Sequence, residues 1–224
     1  MPIPKNYNKD FFKTWSSDMA YILGFLYADG NIVKTKRGTH FVAIYTADKD
    51  LLTQMQTSLG SDHKIAARMS NTGAVYRLQI GSQKWFEDLH EIGLKPNKTN
   101  RMSLPDLPSQ FIGDFIRGYF DGDGNVWTGL IHKDRPTKHT VLQVAFTSAS
   151  LEFLKELQTS LKVLGVIGGS VRNSNKGNYA RLSFSTEDAL TIHKIMYNGA
   201  HKLYLPRKKQ VFDKFVNCGG SSTG

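Results

Sequence analysis

The chain has 224 residues, enough for one large domain or two small ones, and its 40% hydrophobic and 11% aromatic content is that of a packed protein, not a disordered one. Lys and Arg outnumber Asp and Glu by 29 to 19, giving a formal charge of +10 and a pI near 9.6, so the surface charge suggests a polyanionic partner, nucleic acid first. One cysteine, Cys218, excludes an internal disulfide framework and any CxxC metal site, and the longest apolar run, residues 19–28, is roughly half a membrane span. With no signal-peptide pattern at the N-terminus, the chain reads as soluble and intracellular.

In chain order, the first strong signal is LGFLYADGN at residues 23–31, an apolar helical turn that ends in a carboxylate. A basic hairpin follows, KTKRGTH at 34–40, and then a segment whose apolar residues Leu51, Leu52, Met55 and Leu59 have helical spacing and which closes on QTSL at 56–59. RLQI at 77–80 alternates as a strand with one polar face, and P-N-K stands at 96–98. Residues 99–109 carry two prolines and no period and read as a connector. After it the same signals recur in the same order: RGYFDGDGN at 117–125, HKDRPTKH at 132–139, QTSL at 158–161, RLSF at 181–184 and P-R-K at 206–208. Residues 219–224, GGSSTG, read as a flexible tail.

The repetition predicts two halves, residues 1–98 and 110–218, each built as helix, two strands, helix, two strands, helix. The fold class is α+β, with helices on one face of an antiparallel sheet in each half. Gly24 and Ala28 are four apart, as are Gly118 and Gly122, so each acid-ending helix carries a small-residue face along which the two could pack. Such packing would bring Asp29 and Asp123 together at negative helix ends, where a hard divalent cation such as Mg²⁺ would relieve their repulsion. An Asp-Gly pair can also simply end a helix, with Gly30 and Gly124 in the left-handed conformation, but two occurrences at matched places argue for more. DGDGN begins like an EF-hand loop, yet Val126 and His132 occupy positions that need glycine and glutamate.

ILGFLYADG (22–30) and IRGYFDGDG (116–124) resemble the paired motifs of the LAGLIDADG homing endonucleases, in the single-chain, two-motif form, over nearly the whole chain. The resemblance implies a monomer with two pseudo-symmetric αββαββα halves, saddle-shaped sheets and motif helices at the interface. It implies a site-specific endonuclease that cuts both strands of double-stranded DNA at a long site to leave short 3′ overhangs. Asp29 and Asp123 would share Mg²⁺, with Mn²⁺ able to replace it and Ca²⁺ supporting binding without cleavage. Lys98 and Lys208 correspond to the basic residue of each half. Tyr27 replaces an earlier motif aspartate that the second copy keeps as Asp121, a residue suited to capping, not to ligating metal. Ala47 stands where relatives often carry a polar side chain, and its counterpart is read as Ser148, which suggests unequal cutting by the two halves.

On the strands, alternation sets Arg77 and Gln79 opposite Leu78 and Ile80, and Arg181 and Ser183 opposite Leu182 and Phe184, while Arg68 matches Arg172 at the same 104-residue offset. Arg suits guanine and Gln suits adenine in the major groove, so these residues are candidates for base contact, and His40 and Gln143 are further candidates for DNA contact. Lys34, Lys36, Arg37, Lys133 and Arg135 at the hairpin tips are candidates for phosphate contact. A nucleic-acid-binding relative without cleavage, an RNA maturase or a DNA-binding regulator, would share the charge and the strands without needing both acids.

Overall fold

The computed structural model describes residues 5–71, 73–96, 101–131, 139–174, 177–199 and 201–219. The first half runs α1 (Ser17–Asp29), β1 (Gly30–Lys34), β2 (His40–Thr46), α2 (Lys49–Ser58), β3 (Ala66–Ser70), β4 (Gly73–Gly81) and α3 (Gln83–Glu91). The second runs α4 (Ile112–Asp123), β5 (Gly124–Ile131), β6 (His139–Ser148), α5 (Leu151–Val163), β7 (Ser170–Asn173), β8 (Ala180–Phe184), α6 (Thr186–Tyr197) and α7 (Pro206–Gly219). Each half holds a four-stranded antiparallel sheet, ordered β1-β2-β4-β3 and β5-β6-β8-β7.

Side-chain hydroxyls start three of the helices. Ser16 accepts from the Met19 amide at 3.1 Å, Ser82 from Trp85 at 3.1 Å and Ser150 from Phe153 at 3.3 Å. The core lies between sheets and helices, with Leu51, Leu52, Met55, Leu78 and Ile80 on one side and Phe153, Leu154, Leu157, Leu182 and Phe184 on the other. The segment after the first half is tied down as well. Met102 is buried and its carbonyl accepts from the Ser150 hydroxyl at 2.6 Å.

α1 and α4 sit at the centre, buried over Met19–Tyr27 and Asp114–Asp121; α1 is apolar nearly all round there, whereas α4 also buries Asp114, Arg117 and Asp121. Their contact is backbone on backbone. A methyl on Gly24 would run into the Phe115 carbonyl, one on Gly118 into the Tyr21 carbonyl, and one on Gly122 into the Ala28 methyl. Each pair is the other's equivalent under the 94-residue repeat, so Ala28 and Gly122 face one another across the pseudo-twofold axis.

Both helices end without a loop. Gly30 (φ −101°, ψ 161°) and Gly124 (φ −87°, ψ 158°) are extended, not left-handed, so the helix-terminating role expected of them needs a different reason. That reason is space. A Cβ on Gly30 would lie 2.5 Å from the Leu26 Cα, and one on Gly124 would collide with the Phe120 ring. Each strand therefore begins at the residue after the acid.

Candidate functional site

Asp29 and Asp123 are the last residues of α1 and α4, half-exposed at one end of the glycine seam. A Cβ on Gly122 would lie 3.4 Å from the Asp29 carboxylate, which places that carboxylate against the end of the opposite helix. Two side chains sense both acids together. The buried Tyr119 hydroxyl has its pKa raised by burial first and then by the charges of Asp123 and Asp29, and it donates to the Thr147 carbonyl at 2.7 Å. The Lys208 ammonium is pulled toward the charged form by the same two carboxylates, after Asp121. The seam thus brings together the two acids that lie 94 residues apart in sequence.

Lys208, only 7% exposed, lies at the end of α4 and does not face open space. Its Nζ donates to the carbonyls of Phe120 (2.7 Å), Asp121 (2.8 Å) and Gly124 (2.7 Å), with Gly122 at 3.4 Å. An ammonium has three protons, so these carbonyls engage all of them. Burial lowers its pKa to about 8 against the pull of the nearby carboxylates. The expected phosphate-facing cation of this half is therefore placed as a clamp on the helix end. Lys98, its expected partner, lies outside the described residues, as do Lys133 and Arg135.

Asp121 is buried and bridges three elements: Tyr21 Oη of α1 donates to it at 2.7 Å and the Leu205 amide before α7 at 2.8 Å. Burial raises its pKa to about 6, although both hydrogen bonds and Lys208 oppose the rise. It ties α4 to α1 and to the chain before α7, and it points inward from the acid pair. Arg117, 1% exposed, completes this polar layer by donating to the Leu203 and Met196 carbonyls and to Asp114 at 3.0, 2.7 and 2.7 Å. Its equivalent in α1 is Leu23, so the two halves are braced differently.

Among the described residues no group of three or more His, Cys, Asp and Glu is arranged to enclose a metal ion. Two carboxylates at carbonyl-rich helix ends form an oxygen donor set that suits a hard divalent cation, one that keeps water in its remaining positions. The residues present fit such an ion.

Strand register corrects the expectation for Ala47. Thr46 pairs with Tyr76 and Ser148 with Ala180, each at the same rung of its sheet, so Thr46 is the equivalent of Ser148. Both hydroxyls are buried and make the same bond, Thr46 Oγ1 accepting from the Asp48 amide at 3.0 Å and Ser148 Oγ from Ser150 at 3.1 Å. The halves match here, and the argument for unequal cutting from this position falls away.

The sheet faces that turn away from the helices carry Arg77, Gln79 and Arg68 in the first half, and Arg181, Ser183, Arg172 and Gln143 in the second. A depression of about 840 Å³ on the first sheet is lined by Tyr45, Arg68, Val75 and Arg77 among others. Lys34, Lys36 and Arg37 are exposed at the β1–β2 tip. His40 is elsewhere. It lies on the helix side of β2 with its ring 4.6 Å from that of Phe86 in α3, because alternation gives the open face to Phe41, Ala43 and Tyr45. Two residues were not singled out in the sequence. Asn31 and Asn125 are the first open-face positions beyond the acids, exposed beside Ala43 and Ala145, and the DGN shared by both motifs already marks them.

The chain is 26% identical over 201 residues to an uncharacterised protein of Methanocaldococcus jannaschii, covering 85% of this chain and 69% of that one. It is 24% identical over 168 residues to part of the replication factor C small subunit of the same organism, of which it spans 8%. Among solved structures it is similar to the meganuclease I-SmaMI bound to uncleaveable DNA (TM-score 0.62, 12% identity, 91% of this chain and 92% of that one). It is also similar to I-DmoI in complex with DNA and Mn (TM-score 0.56, 18% identity, 87% and 100%). The family model described as a LAGLIDADG-like domain matches twice, over residues 16–92 and 110–197, one match per helix-and-sheet half. With a motif helix in each match, an acid at the end of each motif helix and the two helices joined along their glycines, the chain belongs to the LAGLIDADG family.

Proposed function

We propose that this protein is a single-chain, metal-dependent DNA endonuclease that cuts both strands at a long specific site. The observation that carries the reading is the convergence of Asp29 and Asp123 at the ends of two backbone-packed helices, each followed at once by a strand of an arginine-bearing sheet. Duplex DNA would lie across the two open faces, with Arg77, Gln79 and Arg68 toward one half-site and Arg181, Ser183, Arg172 and Gln143 toward the other. Lys34, Lys36 and Arg37 would hold phosphate at the tip of the first sheet, and Lys133 and Arg135 at that of the second.

Asp29 and Asp123 would hold Mg²⁺ or a similar divalent ion, which when bound stabilises charge on the scissile phosphate and activates water. The chain's own part is positional. The glycine seam fixes the spacing of the carboxylates, Lys208 fixes the end of α4, and the Thr46 and Ser148 hydroxyls fix the strand ends beside the acids. Short 3′ overhangs and a homing role accompany this reading, as does Lys98 as a cation near one scissile phosphate.

The test is cleavage of a randomised duplex library in Mg²⁺ followed by sequencing of the ends. Asp29→Asn and Asp123→Asn are each expected to abolish double-strand cleavage and to leave DNA affinity in Ca²⁺ within a few-fold of the parent. Full cleavage by either variant would refute the assignment of the acids. Binding without cleavage by the parent would favour a DNA-binding relative instead.

A further inference from the structure

β7 and β8 meet in a register two residues removed from that of β3 and β4. Arg172 is the cross-strand partner of Arg181, whereas Arg68 faces Val75 and Arg77 faces Ala66. The turns differ. Ser70 pairs with Gly73, two residues of sequence lying between them, while Asn173 pairs with Ala180 over a longer connection and Ser174 N donates to the Tyr179 carbonyl at 2.9 Å. Turn geometry sets hairpin register, and a shift of two keeps every side chain on its own face while moving it one step along the strand. One row of the second open face therefore runs Thr147, Arg181, Arg172, where the equivalent row of the first runs Tyr45, Arg77, Ala66.

Both arginines of that row are exposed, and among the described residues neither forms an ion pair. Directly opposed like charges on an antiparallel pair repel. An acceptor-rich group between the two guanidinium forks removes that repulsion. Opposed Cα atoms lie roughly 5 Å apart and successive base pairs about 3.4 Å, so the two forks can reach neighbouring steps of a duplex. In the first half Arg77 and Arg68 stand on successive rows, roughly 7 Å or about two steps apart.

Building on the DNA-binding reading above, we propose that Arg172 and Arg181 act together as a two-guanidinium reader for guanines on neighbouring steps of one half-site, while Arg77 and Arg68 read positions spaced further apart in the other. The pseudo-symmetric halves would then select half-sites of different base spacing. Guanine O6 and N7 accept a fork in bidentate fashion, and phosphate oxygens offer related chemistry, so the experiment separates the two.

The parent, Arg172→Ala, Arg172→Lys, Arg181→Ala and Arg77→Ala are each bound to a randomised duplex library in Ca²⁺, and the retained DNA is sequenced. The parent is expected to enrich adjacent guanines in one half-site. Arg172→Ala and Arg181→Ala should each relax one of them by roughly tenfold or more, and Arg77→Ala should relax the other half-site only. Arg172→Lys should behave like the alanine variant, because an ammonium keeps the charge and loses the fork. Uniform weakening on all sequences, restored by Arg172→Lys, would mean phosphate contact and overturn the proposal. Strong selection without adjacent guanines would overturn it while leaving DNA binding intact, and failure of the parent to retain any duplex would overturn the DNA-binding reading itself.

Discussion

Two buried ionisable residues at the end of α4 carry opposite constraints and yield separate predictions. Lys208 donates to the carbonyls of Phe120, Asp121 and Gly124 around the end of α4, the first of which also accepts from the Gly124 amide, and it sits beside Asp121. Lys208→Met keeps much of the volume, removes the donors and leaves Asp121 buried without its cation, so it should destabilise the fold by roughly 3 kcal/mol in chemical denaturation. A loss below about 0.5 kcal/mol would mean that the clamp contributes little. Asp121 has a folded pKa raised from 3.8 to about 6, so the folded state binds its proton more tightly than the unfolded state does. Its stabilising contribution is complete below pH ~4 and is lost as pH rises through ~6, a change of about 3 kcal/mol. Asp121→Asn should remove that fall, and midpoint against pH for both proteins, in chelator to exclude metal, gives the difference directly. Identical profiles would contradict the raised pKa. Asp29 and Asp123 were legible because the motif repeats, while the engagement of Lys208 was not. Backbone carbonyls carry no side-chain signal, and a lysine bound to them reads in sequence like any surface lysine.

At the scale of elements, the α1–α4 seam makes the sharpest claim. Gly122→Ala alone drives its methyl into that of Ala28, and overpacking of this kind costs about 1–3 kcal/mol. Because the two positions are equivalent across the pseudo-twofold axis, Ala28→Gly combined with Gly122→Ala exchanges the methyl between helices and should recover most of the loss. A double variant no more stable than Gly122→Ala would show that the helices do not meet there as described. The αββαββα elements common to both halves and the small-residue faces were visible in apolar period and in the ordered recurrence of QTSL, RLQI and RLSF, since burial on one face imposes that period, whereas α7, the additional helix of the second half, was not expected. Strand register was less visible. Ala47 was aligned with Ser148 where register makes Thr46 its equivalent, and the helix-side position of His40 was not foreseen, because period-two alternation turns any single-residue offset into a change of face. The shift between β3–β4 and β7–β8 stayed hidden for another reason: Arg68 and Arg172 keep a constant sequence offset while their turns do not.

For the whole molecule, the excess of ten positive charges should appear as salt dependence. If it meets a duplex, the logarithm of the binding constant should fall with the logarithm of salt concentration by about 0.9 for each phosphate neutralised. Lys34→Ala, measured by titration at several salt concentrations, should weaken binding to all sequences alike and shallow that slope by about 1. A loss confined to one sequence would reassign this residue to base contact. The junctions at Gly30 and Gly124 set a broader constraint. An acid ends the helix and the next residue, a glycine on which a methyl is excluded, begins the strand, so the joint has no slack to bend. Each half is then a rigid ruler whose zero mark is its carboxylate. If the protein is the endonuclease proposed above, substitutions on the open faces would change which bases suit it while the distance from those bases to the severed bond stayed the same, and a target with one base pair inserted at its centre should be bound by one half and left uncut.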